Sequence, residues 1–473
     1  MRAALASPMR WGRSSAKLGW SAALLLSRPN ANPRLALALR LAVGCVVGCA
    51  VGCAAPPGGL GPGKGAGDTA GALVEDTAED DDLHAIDDAP DPGCAALGCL
   101  RSARSLGRYS RAALAPALAE GVVLDNGYEV LSVEYLTEGG VATATVTLPL
   151  DLAADPPAEG HPVVVNAHGT VGLDDPCRLS GTVSGAGLAG LFGGRGAIGV
   201  APDYPGLGGP GLHRYLDARS EGTSVLDGVR AALQLARWRG LRSSGRAAVV
   251  GLSQGGHAAL SAAALHSRYA PELDLRAFAA AGPASVFEEQ WRAGIGVEGP
   301  HLVMHALLVW SFAEAAGASR DGIWAEGVAG WIDGHLLERC YWSPSFGSEP
   351  LLNDGFPVEA AAVFSPAFLR AYAAGDWSAW PFMAERFAAN RVAPWLDLGE
   401  QTAPLAIWQG TADATVLAAD TQAMVRALRA GDIDVELHLV EGAGHTDTAF
   451  GFVAAPERAT AESVAWVQAR LAD

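Results

Sequence analysis

Apolar positions along this chain repeat at two spacings. Glu129-Val-Leu-Ser-Val-Glu-Tyr135 and Ala142-Thr-Ala-Thr-Val-Thr-Leu148 alternate, which predicts strands with one covered face. Val163–Thr170 and Ile198–Asp203 are continuous apolar runs, as strands covered on both faces require. From Ser224 to Trp238 the period lengthens to that of a helix. An apolar segment ending Ala247-Ala-Val-Val250 follows, and then an alanine-rich helix from His257. Leu275–Ala281, Pro404–Gln409 and Asp434–Val440 continue the strand series, and a last helix spans Pro456–Leu471. Strands alternating with helices predict an α/β fold: a mostly parallel central sheet with helices on both faces, built from residues 111–284 and 401–473.

The alternation stops over 285–400. Eight of the chain's thirteen tryptophans lie there: Trp291, Trp310, Trp324, Trp331, Trp342, Trp377, Trp380 and Trp395. Leu302-Val-Met-His-Ala-Leu-Leu-Val-Trp-Ser-Phe312 is apolar nearly all round, so its helix is buried or covers something greasy. The stretch reads as a helical cap inserted over the C-terminal edge of the sheet, where open α/β folds bind ligands. A second domain core without a ligand is the plainer reading. His301 and His305 stand one turn apart on that helix without a third ligand in view, which favours packing.

Residues 1–54 carry seven basic residues and no acidic one, and end in a short apolar run with Cys45, Cys49 and Cys53. That order reads as an export signal with a lipobox-like end, Val46-Val-Gly-Cys49, and places the mature chain in an extracytoplasmic setting, as a cell-envelope lipoprotein or secreted. Cys49 would carry a lipid anchor and bring membrane contact; a secretory signal cut slightly later is the alternative. Residues 55–110, with Gly, Pro and the run Glu79-Asp-Asp-Asp82, read as a flexible acidic tether. Without the leader's basic residues the net charge falls from −18 to −25, which argues against nucleic acid as a partner. Cys94, Cys99, Cys177 and Cys340 remain, an even number in an exported chain. Cys94 and Cys99 could close a small loop, leaving Cys177 and Cys340 to tie distant segments. Four reduced, buried thiols fit an exported chain less well. No Cys/His spacing resembles a zinc site, so no metal is expected, nor any cofactor.

The chemistry concentrates at Gly251-Leu-Ser253-Gln-Gly255, between the strand ending at Val250 and the following helix. Strand, tight turn and helix are the context in which a G-x-S-x-G serine becomes a nucleophile. A serine hydroxyl needs a base to take its proton and a carboxylate to orient that base. In this fold the partners follow in the order serine, acid, histidine. Asp413 lies just beyond the Pro404–Gln409 strand and His445 just beyond Asp434–Val440, so both loops open at matching strand ends. Asp447, Asp397 and Asp420 are less well placed as the acid. The developing oxyanion needs preorganised donors. The N–H of Gln254 is one candidate, and the loop His168-Gly169-Thr170 offers the other, through the Thr170 N–H with Gly169 allowing close approach. Asp203, at a strand end, suits a loop-fixing hydrogen bond. Gly185–Gly190 and Gly206–Gly211 satisfy G-x-G-x-x-G, but neither stands between a strand and a helix as dinucleotide binding requires.

Taken in order, Ala167-His-Gly-Thr170, Cys177, Pro202-Asp-Tyr-Pro-Gly-Leu-Gly208, Tyr215-Leu-Asp-Ala-Arg-Ser-Glu-Gly222, Val225-Leu-Asp-Gly-Val-Arg-Ala231, Gly251–Gly256, Gln409-Gly-Thr-Ala-Asp413 and Gly442-Ala-Gly-His445 resemble the secretory lipase family of α/β-hydrolases, which includes fungal lipase A-type enzymes and many bacterial relatives. The resemblance spans roughly residues 110–470 and leaves the leader and tether outside. Leu252 stands where that family often has Tyr or His. The resemblance implies Ser253, Asp413 and His445 as a triad, a helical cap, and hydrolysis of acyl esters including triacylglycerols. The function expected is that of a serine carboxylester hydrolase acting on lipid or small acyl esters through an acyl-enzyme on Ser253. A serine peptidase or aminopeptidase on the same fold is one rival, although this cap is rich in Trp, Leu and Ala rather than amine-holding carboxylates. A catalytically silent surface protein is the other. Activity is expected to rise with pH as His445 loses its proton.

Overall fold

The computed structural model describes residues 93–115, 124–150, 157–341, 352–391, 401–449 and 457–472. The expected leader with Cys49, the tether up to residue 92, Trp342, Trp395 and Asp397 lie outside these residues. Nine strands form one sheet: β1 (Leu100–Tyr109), β2 (Gly127–Thr137), β3 (Gly140–Leu150), β4 (His161–Ala167), β5 (Ile198–Pro202), β6 (Ser243–Leu252), β7 (Asp274–Ala281), β8 (Leu405–Gly410) and β9 (Val435–Val440). Their order is β1-β2-β3-β5-β4-β6-β7-β8-β9. β1, β2, β3 and β5 pair antiparallel, and from β5 through β4 to β9 every pairing is parallel. The chain has the mostly parallel α/β sheet expected from its apolar pattern, in the α/β-hydrolase arrangement that the resemblance implies.

The helices that flank the sheet are α1 (Val183–Gly193), α2 (Ala218–Trp238), α3 (Gln254–Tyr269), α9 (Ala418–Ala430) and α10 (Glu457–Ala472). Between β7 and β8 come α4 (Glu288–Gly294), α5 (Leu302–Ala316), α6 (Ala329–Glu338), α7 (Pro366–Ala374) and α8 (Pro381–Asn390). α2 begins at Asp217, whose side chain accepts the Ser220 N–H and so satisfies one orphan donor of the first turn. Burial of Val225, Leu226, Val229, Ala232, Leu235 and Ala236 presses one face of α2 onto the sheet. α3 packs beside it against the same side.

The reading of 55–110 as a tether fails at its C-terminal end. Residues 100–109 are β1, paired along β2, and a Cys94–Cys99 disulfide closes the turn before it. β1 is an edge strand that buries only Leu100 and Ala103 fully, and its pairing slips between Leu100 and Ser102 and between Ser105 and Gly107. A strand with so few buried positions and a broken register carries little apolar alternation to read. The Leu100 N–H donates to Gln234 Oε1 on α2 at 2.5 Å, fixing its first residue.

The helices between β7 and β8 bury their own cluster, including Leu307, Trp310, Phe312, Phe368, Tyr372 and Phe387. Leu173, Tyr215 and Leu216 belong to the same cluster, so the insertion rests on the loops beyond β4 and β5, at the C-terminal ends of the parallel strands. A second disulfide, Cys177–Cys340, joins the β4 loop to the end of α6, with Cα atoms 5.3 Å apart. Beside it the Tyr341 N–H donates to the Val171 carbonyl at 2.6 Å. His305 is buried, with Nδ1 3.2 Å from the Tyr372 hydroxyl, and packs edge-on to Trp291; it serves packing, as its spacing suggested. Among the described residues no helix is long and apolar enough to cross a membrane.

Candidate active site

Ser253 stands at the junction of β6 and α3 with φ 59° and ψ −115°, a strained backbone for a residue with a side chain. Three hydrogen bonds hold it there. Its N–H donates to the Ala281 carbonyl at 2.9 Å, and its carbonyl accepts the N–H groups of His257 at 3.0 Å and Ala284 at 3.2 Å. The flanking glycines are set by space. A Cβ at Gly251 would run into the Gly255 carbonyl, and one at Gly255 would strike the Ala167 carbonyl and come within 2.8 Å of that of His168. The turn therefore packs backbone on backbone between the ends of β6 and β4, and the serine projects from its crest.

Asp413 and His445 come from the loops beyond β8 and β9, as their positions after the two strands predict. His445 Nδ1 lies 2.8 Å from Asp413 Oδ2. The carboxylate is buried and well gripped. Oδ1 accepts the N–H groups of Thr415 and Val416, both at 2.8 Å, and Oδ2 also accepts from Gln409 Nε2 at 3.1 Å. Gln409 is oriented in turn by Thr421, whose hydroxyl donates to its Oε1 at 2.6 Å. The Asp413 side chain is inaccessible while that of His445 is 17% exposed, so the pair presents its imidazole outward. The lesser candidates serve elsewhere. Asp447 accepts the Gly444 N–H at 2.7 Å within the His445 loop, and Asp420 lies in the first turn of α9.

Gly282, the residue after β7, links the two halves. Its N–H donates to the Trp408 carbonyl at 2.9 Å. A Cβ there would sit 3.1 Å from His445 Nδ1 and 3.2 Å from Asp413 Oδ2. Its neighbour Ala281 receives the Ser253 N–H, so serine, imidazole and carboxylate gather around the end of β7. On the other side, the loop His168-Gly169-Thr170 passes the serine: a Cβ on Gly169 would lie 3.8 Å from Ser253 Cβ. The Thr170 hydroxyl is 3.1 Å from that of Tyr215, which is in turn 3.7 Å from Met304 Sδ on α5. The Asp203 carboxylate fixes the adjoining loop, accepting from Leu179 N at 2.7 Å, Ser180 N at 3.0 Å and the Thr143 hydroxyl at 2.7 Å.

Sequence reasoning missed the polar network behind this site. Glu221, Gln254 and His257 are fully buried. Glu221 Oε2 is 2.7 Å from His257 Nδ1, and Oε1 accepts from Gln254 Nε2 at 2.7 Å and Leu216 N at 2.9 Å. Burial disfavours the charged form of His257, but the facing carboxylate outweighs it and raises its pKa. Burial raises the Glu221 carboxyl as well, against the stabilising pull of His257. His213, beside Gln254, has its pKa driven down to about 3 by burial and by His168, and is neutral. Among the described residues no group of three His, Cys, Asp or Glu side chains could hold a metal ion.

With this geometry established, comparison with known proteins is informative. Residues 191–292, which include α2, the Ser253 turn and Gly282, match the family model described as secretory lipase. Over that stretch the chain is similar to the secretory lipase family. Solved structures agree on the fold. The esterase LipA from Xanthomonas oryzae, described as rice cell wall degrading, is 20% identical with a TM-score of 0.62, over 80% of this chain and 97% of that one. Lipase A from Candida antarctica in its closed state is 17% identical with a TM-score of 0.55, over 83% of this chain and 86% of that one. No match was found among curated proteins. Two disulfides, Cys94–Cys99 and Cys177–Cys340, fit an extracytoplasmic setting.

Proposed function

We propose that this chain hydrolyses acyl esters, lipids among them, through an acyl-enzyme on Ser253. His445 takes the hydroxyl proton as Ser253 attacks the ester carbonyl, and Asp413 holds the imidazole in one tautomer and stabilises the imidazolium. The N–H groups of Gln254 and Thr170, with Gly169 leaving room, receive the oxyanion. The imidazolium then protonates the departing alkoxide. Water, activated by the same imidazole, releases the acid and restores Ser253. The observation that carries this reading is the 2.8 Å Asp413–His445 pair, gathered with the strained Ser253 around the end of β7.

Residues 285–400 act as the cap and supply the apolar surface that accepts the acyl chain. Their cluster of Trp, Phe and Leu, continuous with Tyr215 and Leu216 beside Thr170, supports that role and a lipid substrate. The similar structures, an esterase and a lipase, point the same way. A lipid on Cys49 would hold the enzyme at a membrane, with the residues before β1 as its tether.

The test is a chain-length series of nitrophenyl and glycerol esters, above and below their solubility limits, on wild type and Ser253→Ala, with fluorophosphonate labelling mapped by mass spectrometry. Label on Ser253 and loss of turnover in Ser253→Ala are expected. Label elsewhere, or faster cleavage of alanine anilides than of esters, would overturn the reading.

A further inference from the structure

Gln254 is the residue after the nucleophile, and its side chain points away from solvent into the buried network. Its Nε2 donates to Glu221 Oε1 at 2.7 Å and lies 2.6 Å from His213 Nε2. The same Glu221 oxygen accepts the Leu216 N–H at 2.9 Å. Leu216 has φ 55°, a left-handed conformation that a branched side chain keeps only when its surroundings impose it. The residue before it, Tyr215, holds the Thr170 hydroxyl at 3.1 Å. One carboxylate oxygen therefore reaches both sides of the oxyanion site: Gln254 directly, and Thr170 through Leu216 and Tyr215.

The carboxylate is itself fixed from behind. His257, one turn along α3 from Ser253, places Nδ1 2.7 Å from Glu221 Oε2 and Nε2 2.9 Å from the Asn390 carbonyl. The Asn390 carbonyl can only accept, so Nε2 donates to it, and Nδ1 and Glu221 Oε2 share the proton between them. Neither side chain reaches solvent. A fully buried ion pair is weak evidence for stability, because desolvation offsets the attraction. The contact fixes where the carboxylate stands.

We infer that Glu221 is a positioning residue of the reaction, setting the two oxyanion donors at Gln254 and Thr170 from a single buried carboxylate held by His257. The inference rests on Ser253 being the nucleophile. Donors aimed where charge develops stabilise the transition state more than the ground state, so loosening them lowers kcat and spares KM.

The experiment compares hydrolysis of 4-nitrophenyl butanoate by wild type, Gln254→Met, Glu221→Gln and the double variant. Gln254→Met keeps the backbone N–H and the side-chain volume and removes the side-chain contacts to Glu221 and His213, so the test survives even if Glu221→Gln fails to fold. Expected in Gln254→Met is a kcat lower by about 10- to 100-fold, with KM within about threefold. The double variant is expected to lose no more than the worse single one, since the two act through one contact. An unchanged kcat in Gln254→Met, a loss confined to KM, or fully additive losses would overturn the inference. Fluorophosphonate labelling of wild type separates the two levels. Failure to label Ser253 removes the nucleophile reading, whereas a labelled Ser253 with an unaltered kcat in Gln254→Met removes only the role of Glu221.

Discussion

Gln409 donates through Nε2 to Asp413 Oδ2 at 3.1 Å, the same oxygen that faces His445 Nδ1. With the N–H groups of Thr415 and Val416 on Oδ1, every lone-pair direction of the carboxylate is occupied by a donor. An acceptor surrounded in this way cannot swing away from the imidazole. In Asp413→Asn an amide would have to replace an oxygen that only accepts. The substitution is expected to lower kcat by about 10³- to 10⁴-fold with the fold retained. Gln409→Leu, which removes one donor, is expected to cost about tenfold. Steady-state kinetics with circular dichroism distinguishes both from unfolding.

Gly282 has φ +44° and stands against the histidine–carboxylate pair. Gly282→Ala would place a methyl 3.1 Å from His445 Nδ1 in a backbone region that disfavours side chains. Lower kcat and a loss of about 1–2 kcal/mol in stability are expected. Unaltered turnover in a folded variant would show that the pair can move aside.

Cys177 and Cys340 are separated by 163 residues in sequence, and both are buried. A cross-link closing so long a loop constrains the unfolded chain strongly, and losing it costs about 2–5 kcal/mol. The Cys177→Ala/Cys340→Ala double variant should therefore unfold at lower urea concentration. Mild reductant should leave the native enzyme intact, because the bond is out of reach until the chain opens.

Acid stability follows from two buried histidines. The pKa of His305 is lowered to about 3 by burial and the neighbouring His301, and that of His213 to about 3 by burial and His168. Both rings are neutral in the folded chain and become protonated on unfolding below about pH 6.5. The unfolded state then binds more protons, so stability is full above that pH and declines as pH falls toward 3. Urea midpoints measured between pH 7 and pH 4 should fall, and the slope should flatten in His305→Phe.

What the sequence reveals follows burial. β4, β6, β7 and β8 are covered on both faces, so their apolar runs mark them plainly, and the loops holding Ser253, Asp413 and His445 follow at the strand ends. β1 escapes because an edge strand with two pairing slips needs few apolar residues. Glu221 and His257 escape for a different reason. On a helix, a charged residue usually faces water, and only the packing of α2 against α3 turns these two toward each other. Gln409 lies in a motif legible as a whole, but its orienting role depends on Thr421, twelve residues further on.

The Cys177–Cys340 bond joins the inserted helices to the loop that carries Gly169 and Thr170. Any tilt of those helices must pivot about that covalent pin. Travel is then smallest beside Gly169 and Thr170.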